Sequence, residues 1–112
     1  MRYFYDRESD VLSFTLSEAF DWSGSEELSG GMMTVHLDRR RRPFALEVRG
    51  ASKVVNTFGL LPLEETPIAH EEISRRMSAS ETGRQAWSTI VRLMFAPQYA
   101  ASVPRIPQAV VR

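Results

Sequence analysis

The sequence predicts an α+β fold, a curled antiparallel sheet followed by helices packed on its apolar face. Two observations carry this. The hydrophobic period is two along the first half of the chain and lengthens to between three and four in the second half. Clusters of Gly, Asp and Ser separate the period-two segments at short intervals, which suits strands that double back on their neighbours.

Residues 2–5 read as a short first strand. Residues 11–16, Val-Leu-Ser-Phe-Thr-Leu, place Leu12, Phe14 and Leu16 on one face and Val11, Ser13 and Thr15 on the other. Residues 32–37 repeat the pattern with Met33, Val35 and Leu37 inward, and residues 44–49 do so with Phe44, Leu46 and Val48. The expectation is a meander of about four strands with one buried face. Its other face would carry Thr34, His36, Glu47 and Arg49. Pairing Leu37 with Phe44 sets Thr34 opposite Glu47 and His36 opposite Ala45. Residues 17–31 read as a long connection holding Phe20 and Trp22, with Gly30-Gly31 marking a bulge or sharp re-entry. Residues 50–63 are apolar but aperiodic and fit no regular element.

Thr66 followed by Pro67 reads as the N-cap and first turn of a helix over 67–78, because proline needs no donor there. Glu71 and Glu72 early and Arg75 and Arg76 late suit its dipole, while Ala69, Ile73 and Met77 line one side. Ser80 is placed to cap a second helix over 81–96. Trp87, Ile90, Val91, Met94 and Phe95 form its apolar stripe, wide enough to cover a sheet face. Pro97 is expected to end this helix and leave an extended, proline-containing tail over 97–112. The chain then divides into a sheet half (1–53), a helical half (54–96) and the tail, within one domain.

Absence of cysteine excludes disulfides, thiolate nucleophiles and Cys-based zinc sites. No apolar run is long enough to cross a bilayer, and the N-terminus lacks an apolar signal core, so the expectation is a soluble, cytoplasmic protein without membrane contact. The net charge is zero but unevenly spread. Residues 1–27 hold two arginines against seven acids, and residues 39–53 hold six basic residues against one acid. Such opposed patches favour attraction between copies that salt would screen.

Tyr5-Asp6, Glu8, Asp10, Leu12 and Leu16-Ser17 form one block of a recurring pattern. Leu37-Asp38, Leu46-Glu47-Val48 and Ala51-Ser52 complete it at suitable spacing. On these residues the chain resembles the domain of unknown function 2283 family over about residues 3–53. It departs from the family at Asp38-Arg39-Arg40-Arg41-Arg42-Pro43, where members carry acidic residues and glycine. The resemblance implies a small β-rich domain and brings no catalytic residues with it.

Asp6, Glu8 and Asp10 alternate like the opening of a calcium loop. Val11 stands where that loop needs glycine and Ser17 where it needs glutamate, which favours an ordinary turn. His70-Glu71 lacks the second histidine of a zinc helix, since Ser74 takes its place, so His70 is expected to be exposed. No nucleophile elbow or phosphate loop occurs. No catalytic, cofactor or metal site is therefore expected. The reading is a non-enzymatic module acting by protein–protein contact or self-association as a homodimer. Phe20, Trp22, Val110 and Val111 are its candidate interface residues. A first alternative is a nucleic-acid-binding or regulatory protein in which Arg39, Arg40, Arg41 and Arg42 contact a polyanion. A second is a small hydrolase or metal-binding protein built on Asp6, Glu8 and Asp10.

Overall fold

The fold is seen in a computed structural model that describes residues 1–18 and 21–102, with side chains described up to Met94. Six strands form one antiparallel sheet: β1 (Arg2–Asp6), β2 (Val11–Thr15), β3 (Trp22–Leu28), β4 (Met33–Asp38), β5 (Pro43–Arg49) and the two-residue β6 (Thr66–Pro67). Two helices follow, α1 (His70–Met77) and α2 (Glu81–Ser102). The α+β expectation therefore holds, with helices covering one sheet face.

The order across the sheet is β3-β4-β5-β2-β1-β6, which is a Greek key rather than a meander. The reason is one strand that the hydrophobic pattern does not reveal. Residues 22–28, expected as loop, form β3 and pair with β4 through Ser25↔His36, Glu26↔Val35 and Glu27↔Thr34. An extra strand between β2 and β4 reverses the direction of β4 relative to β2. The antiparallel partner of β2 is then β5, and the register Leu12↔Val48, Phe14↔Leu46 follows. Gly30-Gly31 is the sharp re-entry between β3 and β4, where Ser29, Gly30 and Gly31 all take positive φ.

The inward faces supply Tyr3, Tyr5, Leu12, Phe14, Leu16, Met33, Val35, Leu37, Leu46 and Val48, and Ile73, Met77, Ala86, Trp87 and Ile90 of the helices close over them. Each fully buried aliphatic or aromatic side chain contributes about 1.5–3 kcal/mol of transfer free energy. Phe44 is the exception among the expected inward residues. Thr34↔Glu47 and His36↔Ala45 pair as the spacing predicts, but a register shift then sets Leu37 opposite Pro43. The extra residue of that bulge sends the Phe44 ring to the polar side, where it meets His36.

The first helix begins later than Thr66-Pro67 suggests. Those residues pair with Tyr3 and Arg2 as an edge strand, and the Ile68 N–H donates to the Met1 carbonyl at 2.9 Å. Proline is tolerated on such an edge because it has no N–H to leave unpaired. Ala69 becomes the N-cap, with its carbonyl accepting from Glu72 and Ile73. Residues 50–63 turn from β5 past Asp10 and α1 and reach β1 only at residues 61–63, held by bonds that need no periodicity. The Leu61 N–H donates to Tyr3 Oη at 2.9 Å and the Leu63 N–H to the Tyr5 carbonyl at 2.9 Å, while Val55 and Leu60 enter the core.

Ser80 caps α2 as its position suggests, accepting the Gly83 N–H at 2.9 Å and donating to the Val54 carbonyl at 2.7 Å. The helix runs past Pro97 to Ser102, so Pro97 does not end it. One proline removes a single backbone bond, and the following Ala100 and Ala101 are strong helix formers. The remainder of the tail, with Val110 and Val111, lies outside the described residues, as does Phe20.

Gly83, in the first turn of α2, packs against backbone at the end of α1 and at Val54. A Cβ there would lie 2.2 Å from the Met77 carbonyl oxygen and 2.9 Å from that of Val54. In an isolated helix Gly→Ala is worth about 1 kcal/mol of added stability. Here the contact with fixed backbone wins, and Gly83→Ala is expected to cost about 1–3 kcal/mol. A urea unfolding midpoint that rises would contradict this.

Candidate interaction surface

The three alternating acids do not converge. Asp6 accepts the backbone N–H groups of Glu8 and Ser9 at 3.1 and 3.3 Å, a local turn. Hydrogen bonds from Ser9, side chain first and then backbone, hold its carboxyl below the ordinary value. Glu8 is exposed on that turn. Asp10 turns away, adopts a left-handed φ of 58° and serves as a fastener. Its Oδ1 accepts the Tyr5 phenol at 2.7 Å and the Ser52 N–H at 3.0 Å, and its Oδ2 accepts the Ser52 hydroxyl at 2.7 Å. Its carbonyl accepts the Ala51 N–H at 2.9 Å. Among the described residues no group of three or more His, Asp and Glu is arranged to hold a metal ion.

The uncovered face of the sheet gathers rings that lie far apart in sequence. Trp22 of β3 is 64% exposed, and its ring stands edge-on to His36 of β4 at 6.5 Å. His36 in turn lies 6.2 Å from Phe44 of β5. Trp22 Nε1 donates to Ser25 Oγ at 3.3 Å, and Ser25 Oγ lies 2.7 Å from His36 Nδ1. Ser25 Oγ thus bridges the Trp22 indole N–H and the His36 ring. It orders the tryptophan on an open surface. A serine beside a histidine is a nucleophile only when a third group orients the ring and donors await an oxyanion. Among the described residues no carboxylate bonds to His36, and Ser25 stands on a flat strand, so the pair positions Trp22. Phe4 adds a half-exposed ring farther along the same face.

The arginine run forms the tip of the β4–β5 hairpin beside this corner. Asp38 builds the tip: its Oδ1 accepts the Arg40 and Arg42 N–H groups, both at 2.9 Å, and its Oδ2 accepts Arg42 Nε at 3.1 Å. Partial burial pushes the Asp38 carboxyl up, but these N–H bonds and the Arg42 charge outweigh it and leave it below the ordinary value. Arg41 takes the left-handed φ of 64° and reaches Glu26 of β3 at 2.6 Å. Arg39 and Arg40 make no ion pair among the described residues. Two of the four arginines are thus committed within the chain and two face solvent. His70, expected to be exposed, is half-buried instead, its ring 5.5 Å from that of Trp87.

Sequence reasoning names Trp22 and the arginines separately. It misses that β3 joins them, and it misses Ser25, His36 and Phe44 as Trp22's neighbours. The one available signal was the 34–47 and 36–45 cross-strand register, which already places His36 next to the end of β5. No helix among the described residues is long and apolar enough to cross a membrane. Comparison of the chain with protein families, curated proteins and solved structures finds no match.

Partial burial pushes the Asp10 carboxyl up, yet the bonds from Tyr5 and Ser52 and the nearby Lys53 charge prevail and lower it. A carboxyl with a depressed folded value contributes stability that is complete above its unfolded value of about 3.9 and is lost as pH falls through the folded one. Asp10→Asn, which tolerates the same φ, is expected to cost about 1–3 kcal/mol at neutral pH. The gap to the native chain should close as pH falls through the depressed folded value, below the unfolded value of about 3.9. Equal denaturant midpoints at pH 7 would refute the fastener.

Proposed function

We propose that this protein is a non-enzymatic contact module of the domain of unknown function 2283 kind. It acts by protein–protein contact, including association with a second copy of itself, at the corner built from Trp22, His36 and Phe44. The single observation that carries this reading is Trp22, a large ring held in place by a hydrogen bond yet almost two-thirds exposed. Tryptophan at an ordered, exposed position is the residue type most enriched among binding hot spots. The family assignment is supported by the meeting of its pattern residues, since Tyr5, Asp10, Ala51 and Ser52 share one hydrogen-bond cluster.

A second reading rests on Arg39 and Arg40, the two tip arginines with no acid beside them. They would contact a polyanion such as nucleic acid, with affinity falling as salt rises. The chain's zero net charge and the acids of β3 weigh against it.

Trp22→Ala tests the first reading. It removes no core contact, so the thermal midpoint should stay within about 0.5 kcal/mol of native stability. Self-association measured by sedimentation equilibrium should weaken by about 2 kcal/mol, near thirtyfold. An unchanged association constant would count against the corner. Arg39→Ser with Arg40→Ser, retained on heparin and on single-stranded DNA as firmly as the native chain, would remove the second reading.

A further inference from the structure

Resting on that reading of self-association, we infer that two copies join edge to edge through β3, antiparallel, with Ser25 on the two-fold axis. The result is one continuous twelve-stranded sheet across the pair, twice the six strands of a single chain.

The sheet has two edges, and only one can carry a ladder. β6 is two residues long, whereas β3 spans seven and is paired on one side only. A strand so placed presents a row of backbone N–H and C=O groups that no other strand among the described residues satisfies, a ready template for another strand. Proteins that keep such an edge apart use proline, charged side chains, bulges or a covering segment. Trp-Ser-Gly-Ser-Glu-Glu-Leu contains neither lysine nor proline, and its Gly24 and Ser25 offer little bulk. Its protections are the charges of Glu26 and Glu27, with Glu26 on the Val35 side, and a register shift confined to Trp22–Gly24, which leaves residues 24–28 regular.

Charge selects the register. A two-fold axis perpendicular to the sheet keeps the helices of both copies on one face. Each residue then opposes one whose number makes an even sum with its own. Centring on Glu26 or on Glu27 puts two identical carboxylates directly opposite, which is destabilising. Centring on Gly24 puts the Trp22–Gly24 irregularity at the middle of the ladder and sets Glu27 against the partner's Asp21. Centring on Ser25 sets Glu26 against the partner's Gly24 and Glu27 against the partner's Ser23, so no like charges face each other and the irregularity falls only towards the two ends of the ladder. It also brings each arginine tip, which stands at the Trp22 end of β3, alongside the end of the partner's β3 that holds Glu27. Among the described residues Arg39, Arg40 and Glu27 form no ion pair. The opposed charges of the two copies are therefore available to each other, while Arg41 and Glu26 are already satisfied internally.

The chain contains no cysteine, so a single introduced one reports only on a second copy. In this register the two Ser25 Cα atoms are directly opposed, about 4.5–5.5 Å apart, within the span a disulfide bridges. Full-length Ser25→Cys under mild oxidant should form a covalent dimer. Glu27→Cys, whose two positions are separated by about four residues of strand, roughly 13 Å, should not. Far-UV circular dichroism checks that both variants keep the fold. Independently, Arg39→Glu with Arg40→Glu should weaken the native association about three- to tenfold, and adding Glu27→Arg should restore it.

Association that Trp22→Ala abolishes but Ser25→Cys does not trap overturns the edge pairing and leaves the contact reading standing. Faster trapping by Glu27→Cys than by Ser25→Cys overturns the register. A native chain that sediments as a monomer at every concentration overturns both the edge pairing and the self-association on which it rests.

Discussion

Asp10 is the residue through which the two halves of the sheet are tied. The β1–β2 hairpin and the β3–β4–β5 unit are separate local structures, and each alone would be marginal in water. They become one sheet only where β2 meets β5, a pairing between segments more than thirty residues apart. Closing that loop costs entropy that local turns do not recover. Asp10 sits at the end of this seam and clamps it from both sides, taking the Tyr5 phenol from one hairpin and the Ser52 amide and hydroxyl from the other. Burial, reinforced by that bond to Asp10, pushes the Tyr5 phenol up, which keeps it protonated and able to donate. A residue with a short polar side chain is also what the left-handed φ at this turn favours.

Once that seam is set, the position of β3 follows. A strand order with β5 beside β2 leaves β3 at the edge of the sheet, beyond β4. β3 is therefore largely exposed, with only Gly24 and Leu28 half-buried, and its Glu26 reaches the arginine tip of the neighbouring hairpin. One ion pair of this corner, Glu26 with Arg41, joins the acidic and basic stretches of the chain. Glu26 meets Arg41 and Asp38 meets Arg42 within one corner of the molecule. Surface pairs of this kind contribute little stability each, so their value lies in what they leave over. What remains unpaired at the corner is Arg39, Arg40, Glu27 and the ring of Trp22.

The Ser25–His36 contact of this corner lies on the uncovered sheet face, with Ser25 exposed and His36 half-buried. Electrostatic stabilisation of a transition state needs donors held in a water-excluded site.

The sequence by itself determined the fold class, the inward residues of β2 and β4, the cross-strand register of Thr34 and His36, and the cap of α2 at Ser80. Each of these is a local matter of period or of one side chain answering one backbone group. It also determined that Asp6, Glu8 and Asp10 make a turn, because the glycine and glutamate of a cation loop are missing. Only the tertiary structure decided the strand order, the outward turn of Phe44 and the strand nature of Thr66-Pro67. Edge strands bury neither face and leave no hydrophobic period to read, so Trp-Ser-Gly-Ser-Glu-Glu-Leu passed for a loop. One unread strand then reversed the direction of everything after it. The candidate site suffered most from this, since Trp22, Ser25, His36, Phe44 and the arginines come together across three strands whose order no local signal records.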